Sequence, residues 1–136
     1  MLGAVSVSCI ALGLAGCGGS NKSDVCSNGD RSLTSSAFVF VVSPASGERV
    51  SSGFHVNGCS NTFEATLNWT LHARNGSKLA SGVAQGGTLE SGSFNFAVDY
   101  SVTQLQVGDL EVVGGSGTST EGFPPPKDVV PLVLQP

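Results

Sequence analysis

The chain has 136 residues, enough for one domain and little else, and its 12% of charged residues is about half the ~25% usual in soluble domains. The net charge is −4 and the six Lys and Arg residues are scattered, which argues against nucleic acid as a partner because binding to phosphates needs clustered cations. The 19 glycines and the small number of helix-forming stretches favour an all-β fold with many turns.

The first predicted element is an export signal. Residues 2–17 carry no charge, and the run is shorter than the ~20 residues of a membrane span. The sequence LAGC at residues 14–17 resembles the lipobox of bacterial lipoproteins, which implies lipid on the Cys17 thiol and cleavage before it. We therefore expect a signal peptide over 1–16 and a membrane anchor at Cys17. A buried strand or helix is the alternative, and the lack of a preceding Lys or Arg leads us to expect a natural start upstream of Met1.

A Gly-, Ser- and Asn-rich stretch then predicts a flexible tether over 17–36, followed by the folded domain over 37–136. Cys9 would leave with the signal peptide and Cys17 would be capped by lipid, so Cys26 and Cys59 remain as an even pair in an oxidising compartment. We expect a disulfide between them, and two free thiols are the alternative. A metal site is disfavoured because the chain has no C-x-x-C and no histidine at ligand spacing from a cysteine.

Short strands follow in chain order. The run FVFVVS at 38–43 stops at Pro44, where residues 44–47 have turn chemistry, and VSSGFHVNG at 50–58 forms the next strand. The clearest pattern is the alternation from Phe63 to Arg74, which predicts a strand with one face on a core and one in water.

Asn75-Gly76 then predicts a type I′ hairpin turn. Further strands are predicted over 77–85, 94–100, 105–113 (interrupted at Gly108 and Asp109) and 129–134. The total of about seven strands predicts an antiparallel β-sandwich, with Trp69 and the phenylalanines packed between the two sheets.

The order of these motifs is similar to a known family. The stretches SPASGERVSSGFHVNG, FEATLNWTLHARNGSKLASG, GSFNFAVDY and VVPLVL resemble the immunoglobulin-like domain of bacterial spore germination proteins, the Gmad family. The resemblance covers 38–134. The matching positions are Pro44, Gly47, Val50, Val56, Gly58, Phe63, Glu64, Gly76, Phe94 and Val133.

The resemblance implies an immunoglobulin-like sandwich of the kind found in extracytoplasmic and lipid-anchored bacterial proteins, with no assigned catalytic residues. Cys59 stands where the family tends to have a small residue, which points to a local disulfide. Glu64, at the start of the long strand, is expected to have a structural role as an acceptor of backbone N–H bonds, with ligand binding as the alternative.

The loop over 114–127 is the candidate binding surface, because long loops without regular structure are usually functional or disordered. It carries Glu121, Phe123 and the three prolines Pro124, Pro125 and Pro126, which would place an aromatic ring beside a stiff extended segment. A flexible cover over the sandwich is the alternative.

No catalytic or metal-binding cluster is predicted. The chain lacks G-x-S-x-G, and His55 and His72 fall on water-facing strand positions. A calcium site built from Asp109, Glu111, Glu121 or Asp128 has no supporting spacing, so we expect solvated carboxylates, no metal and no cofactor.

These observations lead to three hypotheses. The first is a non-catalytic, lipid-anchored extracytoplasmic binding module whose partner is an envelope protein or a cell-wall polymer, in a spore-germination or cell-envelope setting. The second is a structural or accessory subunit of an envelope assembly. The third, an envelope hydrolase, lacks a visible catalytic cluster.

Overall fold

The computed structural model describes residues 26–27, 36–115 and 124–136, and within these residues every regular element is a β-strand. Runs of β-branched and aromatic residues between Gly, Pro and Asn turns favour this outcome, because such side chains pack well on a pleated surface. In chain order the strands are β1 (Phe38–Ser43), β2 (Arg49–Val50), β3 (Phe54–Asn61), β4 (Thr66–His72), β5 (Lys78–Gln85), β6 (Gly92–Val98), β7 (Gln106–Gly114) and β8 (Lys127–Leu134).

The strands form two sheets. One has three strands in the order β1-β3-β6, and the other has five in the order β2-β8-β7-β4-β5. All neighbours are antiparallel except β2 and β8, which are parallel. The all-β sandwich predicted from the sequence is therefore confirmed, with eight strands in place of about seven.

The core lies between the two sheets. Leu67 and Leu71 on β4 are fully buried, and Trp69 between them stacks on Phe96 of β6 with ring centroids 5.1 Å apart. Gly82 lies opposite Trp69, and a Cβ at this position would come within 2.7 Å of the indole ring. The alternation in β4 thus reflects one face packed on the opposite sheet.

The predicted strand over 50–58 is in fact two strands in different sheets. Val50 belongs to β2 and pairs with β8, whereas the chain from Phe54 onward pairs with β1 and β6. Gly53, with φ +85°, lies at the crossing, a backbone conformation that glycine adopts readily.

The alternation from Phe63 to Arg74 overstates the strand at its start. Ala65 has φ +56°, so regular pairing begins only at Thr66. As a result Phe63 does not continue the core face of β4 and is 90% exposed. The prediction that Phe63 packs on the core is wrong.

Two further local predictions are wrong. Asn75 has no positive φ, so the turn is not type I′. It is a three-residue loop in which the Gly76 N–H donates to Ala73 O at 2.8 Å, and Ser77 N–H donates to the Asn75 side-chain oxygen. β7 also runs through Gly108 without a break, because this glycine leaves room for Leu134.

The sandwich has two ends. We call the end at which β1 begins the N-terminal end: Ser36 and the loops over 62–65 and 86–91 lie there, and so do Pro124 to Pro126 before β8. The opposite end holds the loops over 44–48, 73–77 and 99–105 and the last two residues of the chain.

Tyr100 connects elements at the opposite end. Its hydroxyl lies 2.7 Å from Val50 O and 2.9 Å from Gln135 O, to either of which it can donate, and it accepts the Gln135 N–H at 3.0 Å. The ring packs edge-on against Phe54. Burial raises the pKa of the Tyr100 hydroxyl above its ordinary value of 10.0.

Candidate functional site

The outer face of the three-stranded sheet carries an unusual set of side chains. The register places Asn57 of β3 opposite Asn95 of β6, and Cys59 between Phe40 of β1 and Ser93 of β6. Because directly opposed residues share a face, all five point away from the core. We call this surface the outer face.

The predicted disulfide is confirmed and lies on the outer face. Cys26 is bonded to Cys59 with the two Cα atoms 5.3 Å apart, and both residues are buried. The bond fixes the N-terminal segment to β3 at a position 33 residues away in sequence. It thereby forms one wall of a cleft.

The cleft has a volume of about 250 Å³ and opens beside the disulfide. The β1 edge contributes the partly exposed Val42, and the aromatic ring of Phe40, 58% exposed, lies nearby on the same strand. None of the lining residues carries a charge. They are Cys26, Val42, Asn57, Gly58, Cys59, Ser93, Phe94 and Asn95.

A row of hydrogen-bonding side chains crosses the outer face. The Asn95 amide nitrogen donates to the side-chain oxygen of Asn57, and His55 Nδ1 lies 3.4 Å from the Asn95 oxygen. All three residues are exposed, so the N–H groups and the oxygen lone pairs not used within the row are accessible to solvent. The row can therefore both donate and accept hydrogen bonds with an uncharged polar ligand.

The site residues predicted from sequence are only partly within the described residues. Cys17, Glu121 and Phe123 lie outside them. Pro124, Pro125 and Pro126 lie at the N-terminal end, where Pro126 O accepts the Gly114 N–H at 2.8 Å. None of the three prolines lines the cleft.

Glu64 is exposed, and its backbone carbonyl, at 3.2 Å, accepts the Thr66 hydroxyl. Among the described residues its carboxylate accepts no backbone N–H, so the structural role proposed for it stays a prediction. Two other carboxylates have this kind of role. Glu48 accepts the Ala45 N–H at 2.7 Å, and Asp128 accepts the Val41 N–H at 2.7 Å, which ties β8 to the edge of β1.

The two histidines lie on different surfaces of the sandwich. His55 lies on the outer face, whereas His72 lies on the outside of the five-stranded sheet, opposite Asp109. Glu111 shares that second surface and pairs with Lys127 at 3.4 Å. Within the described ranges, no group of three or more His, Cys, Asp or Glu residues could hold a metal ion.

Comparison with known proteins assigns the family. Residues 38–120, more than half of the chain, match the family model Gmad2, described as the immunoglobulin-like domain of bacterial spore germination. The chain belongs to this family. The match spans β1 to β7 and therefore includes β1, β3 and β6, the strands that carry the cleft.

No curated protein matches this Gmad2 domain. Among solved structures it is similar to CopC from Methylosinus trichosporium OB3b, with 13% sequence identity and a TM-score of 0.47, over 74% of this chain and 95% of that one. In the described part of the chain, no helix is long and apolar enough to cross a membrane.

Sequence reasoning missed the cleft. It placed His55 on a water-facing strand position and gave it no function. The signal that could have identified the site is the pairing of Asn57 with Asn95 across two neighbouring strands.

Proposed function

We propose that this chain is a lipid-anchored, extracytoplasmic, non-catalytic immunoglobulin-like module that binds a neutral cell-wall glycan at the outer face. The lipid would be carried by Cys17. The disulfide supports the compartment, since such bonds persist outside the reducing cytoplasm. An association with spore germination is included in the proposal because the family description names that process.

The observation that carries the proposal is the cleft with its amide row. Asn57 and Asn95 offer donors and acceptors without charge, which suits the hydroxyl and acetamido groups of a glycan. Val42 and the exposed ring of Phe40 supply apolar surface beside them, on which the less polar face of a sugar ring can pack. Apolar walls with a few convergent polar groups are typical of ligand sites.

The surroundings of the histidines support a non-catalytic module. Nucleophilic catalysis needs a hydroxyl or thiol within hydrogen-bond reach of a base. The neighbour of His55 is the Asn95 amide, and the cysteine nearest the cleft is held in a disulfide. Binding is the chemistry that these groups can perform together.

The test is co-sedimentation of the full-length protein, solubilised in detergent, with isolated insoluble cell-wall material. We expect the wild type to sediment and the Asn95→Ala variant to bind about fivefold to tenfold more weakly, as for the loss of one or two hydrogen bonds. Phe40→Ala should weaken binding by a similar factor.

Ser81→Ala is the matched control, since Ser81 is exposed on the outside of the other sheet and its loss should leave binding unchanged. Equal binding by wild type and Asn95→Ala would contradict the assignment of the site. Failure of the wild type to bind would contradict the glycan as ligand and favour the accessory-subunit alternative. Lipidation is tested separately, since Cys17→Ala should release the protein from membranes.

A further inference from the structure

Two bulky apolar side chains project from the N-terminal end of the sandwich. Phe63 is 90% exposed and Leu89 is 84% exposed, more than any other large apolar side chain among the described residues. They come from different loops, over 62–65 and 86–91. Scattered exposed apolar residues need no explanation, but two large ones on neighbouring loops at one end form a patch.

Hydrogen bonds between the two loops hold the patch together. The Thr88 hydroxyl donates to Phe63 O at 3.0 Å, and Thr62 N–H donates to Gly87 O at 3.0 Å. Leu89 adopts φ +63°, a conformation that a branched residue holds only when its surroundings fix it. The exposed positions of these side chains are therefore built into the backbone.

The N-terminal segment meets the domain at the same end. Cys59, which holds Cys26, is two residues before the end of β3, and Asn61 at that end donates its side-chain N–H to Ser36 O at 3.4 Å. Cys26 follows Cys17 by nine positions, and a chain of that length spans at most about 30 Å. A lipid on Cys17 would thus keep this end of the domain close to the bilayer.

We propose that Phe63 and Leu89 enter the interfacial region of the bilayer that holds the lipid at Cys17, so that the sandwich stands on its N-terminal end. This proposal rests on the proposed function in one respect, the anchor at Cys17. It leaves the cleft on the outer face of the three-stranded sheet, at the side of the sandwich, where it stays open to a glycan.

The charges at this end indicate which headgroups are preferred. Phe63 is followed by the exposed Glu64 and Leu89 by the exposed Glu90. Of the four described Lys and Arg residues only Lys127 lies at this end, and it pairs with Glu111. Two unpaired carboxylates at the membrane surface repel anionic lipid and attract the ammonium of a zwitterionic headgroup such as phosphatidylethanolamine.

The experiment uses the full-length lipidated protein in vesicles whose acyl chains are brominated and therefore quench tryptophan fluorescence. Phe63→Trp and Leu89→Trp place a reporter at each tip. The wild type is one control, because its single tryptophan, Trp69, is buried in the core. Leu105→Trp is the matched control, since Leu105 is exposed in a loop at the opposite end.

We expect strong quenching at positions 63 and 89 in vesicles of phosphatidylethanolamine and phosphatidylcholine, and none at position 105 or in the wild type. Replacing half of the lipid with phosphatidylglycerol should reduce quenching at position 63. Combining Glu64→Gln and Glu90→Gln with the position 63 reporter should remove that difference between lipids.

Unquenched reporters at both tips, or equal quenching at positions 63, 89 and 105, would overturn the proposal. If both tip reporters are unquenched, and the wild type crosslinks to an envelope protein whereas Phe63→Ser does not, the patch is assigned to a protein partner. Mass spectrometry of the N-terminal peptide separates the two proposals. A lipidated chain with unquenched tips overturns only the bilayer contact, whereas an unlipidated chain that does not bind vesicles overturns the anchor as well.

Discussion

Replacing Tyr100 with phenylalanine removes one oxygen atom from the point at which β2, the chain after β6 and the C-terminal residues meet. That hydroxyl donates to Val50 O or Gln135 O and accepts the Gln135 N–H. The Gln135 N–H also reaches Val50 O at 3.0 Å, so it keeps a partner in the variant. We therefore expect a loss of about 1–2 kcal/mol in the free energy of unfolding, as for one to two net hydrogen bonds.

The effect should depend on pH in a defined direction. Burial raises the pKa of Tyr100 in the folded protein above its ordinary value, so the unfolded chain releases this proton first as the pH rises. The stabilising contribution is complete below about pH 10 and is lost as the pH rises through the folded-state pKa. Above pH 10 the stability advantage of the wild type over Tyr100→Phe should shrink, and effects of the lysines cancel in the difference.

The assay is direct because Tyr100 is the only tyrosine. Near-ultraviolet absorbance of tyrosinate then titrates this one group, and thermal unfolding at pH 7 should show a melting temperature about 4–8 °C lower per kcal/mol lost for a domain of this size. Ionisation of Tyr100 at or below its ordinary pKa in the folded protein would refute the reasoning. So would equal stability of wild type and variant at pH 7.

Three further changes should lower stability. Replacing both Cys26 and Cys59 by serine should lower the free energy of unfolding by about 3–4 kcal/mol in urea titrations, because the bond restricts a loop of 33 residues in the unfolded chain. Gly82→Val should cost about 1–3 kcal/mol and shift the tryptophan emission, since the new side chain would overlap the Trp69 indole. Asp128→Asn should cost about 1–2 kcal/mol, because the charge-assisted bond that ties β8 to β1 is weakened.

Each of these changes has a matched control. A reducing agent should leave the stability of the double serine variant unchanged, because this variant has no disulfide. Ser81→Val changes the exposed neighbour of Gly82 and should leave Trp69 emission unaltered. Asp109→Asn removes an exposed carboxylate on the outside of the five-stranded sheet and should be neutral. A control that destabilises as much as its partner would show that the named contact is not the cause.

The periodic parts of the fold were predictable from the sequence, and the exceptions have physical causes. Alternation predicted the core face of β4 correctly at Trp69, because pleating fixes which side chains share a face. It failed at Phe63, because the left-handed backbone at Ala65 breaks the pleat. The amino-acid sequence does not show that backbone conformation. Gly108 was taken as a break although it serves as a packing position.

The candidate site was harder to predict because it depends on register. The disulfide could be anticipated by counting cysteines and by the pairing of β1 with β3. The opposition of Asn57 and Asn95 joins residues 38 positions apart, and it exists only in one register of β3 and β6. The carboxylates of Glu48 and Asp128, which accept backbone N–H bonds, were also missed. For Asp128 the reason is again long-range geometry.

The most direct test of the account is hydrogen–deuterium exchange of the full-length protein in detergent, with and without soluble fragments of cell-wall glycan. We predict slower exchange in peptides from β3 and β6, which carry the amide row, with no change in β5 or in the loops at either end. Unchanged exchange in β3 and β6, or protection confined to another part of the domain, would contradict binding at the outer face.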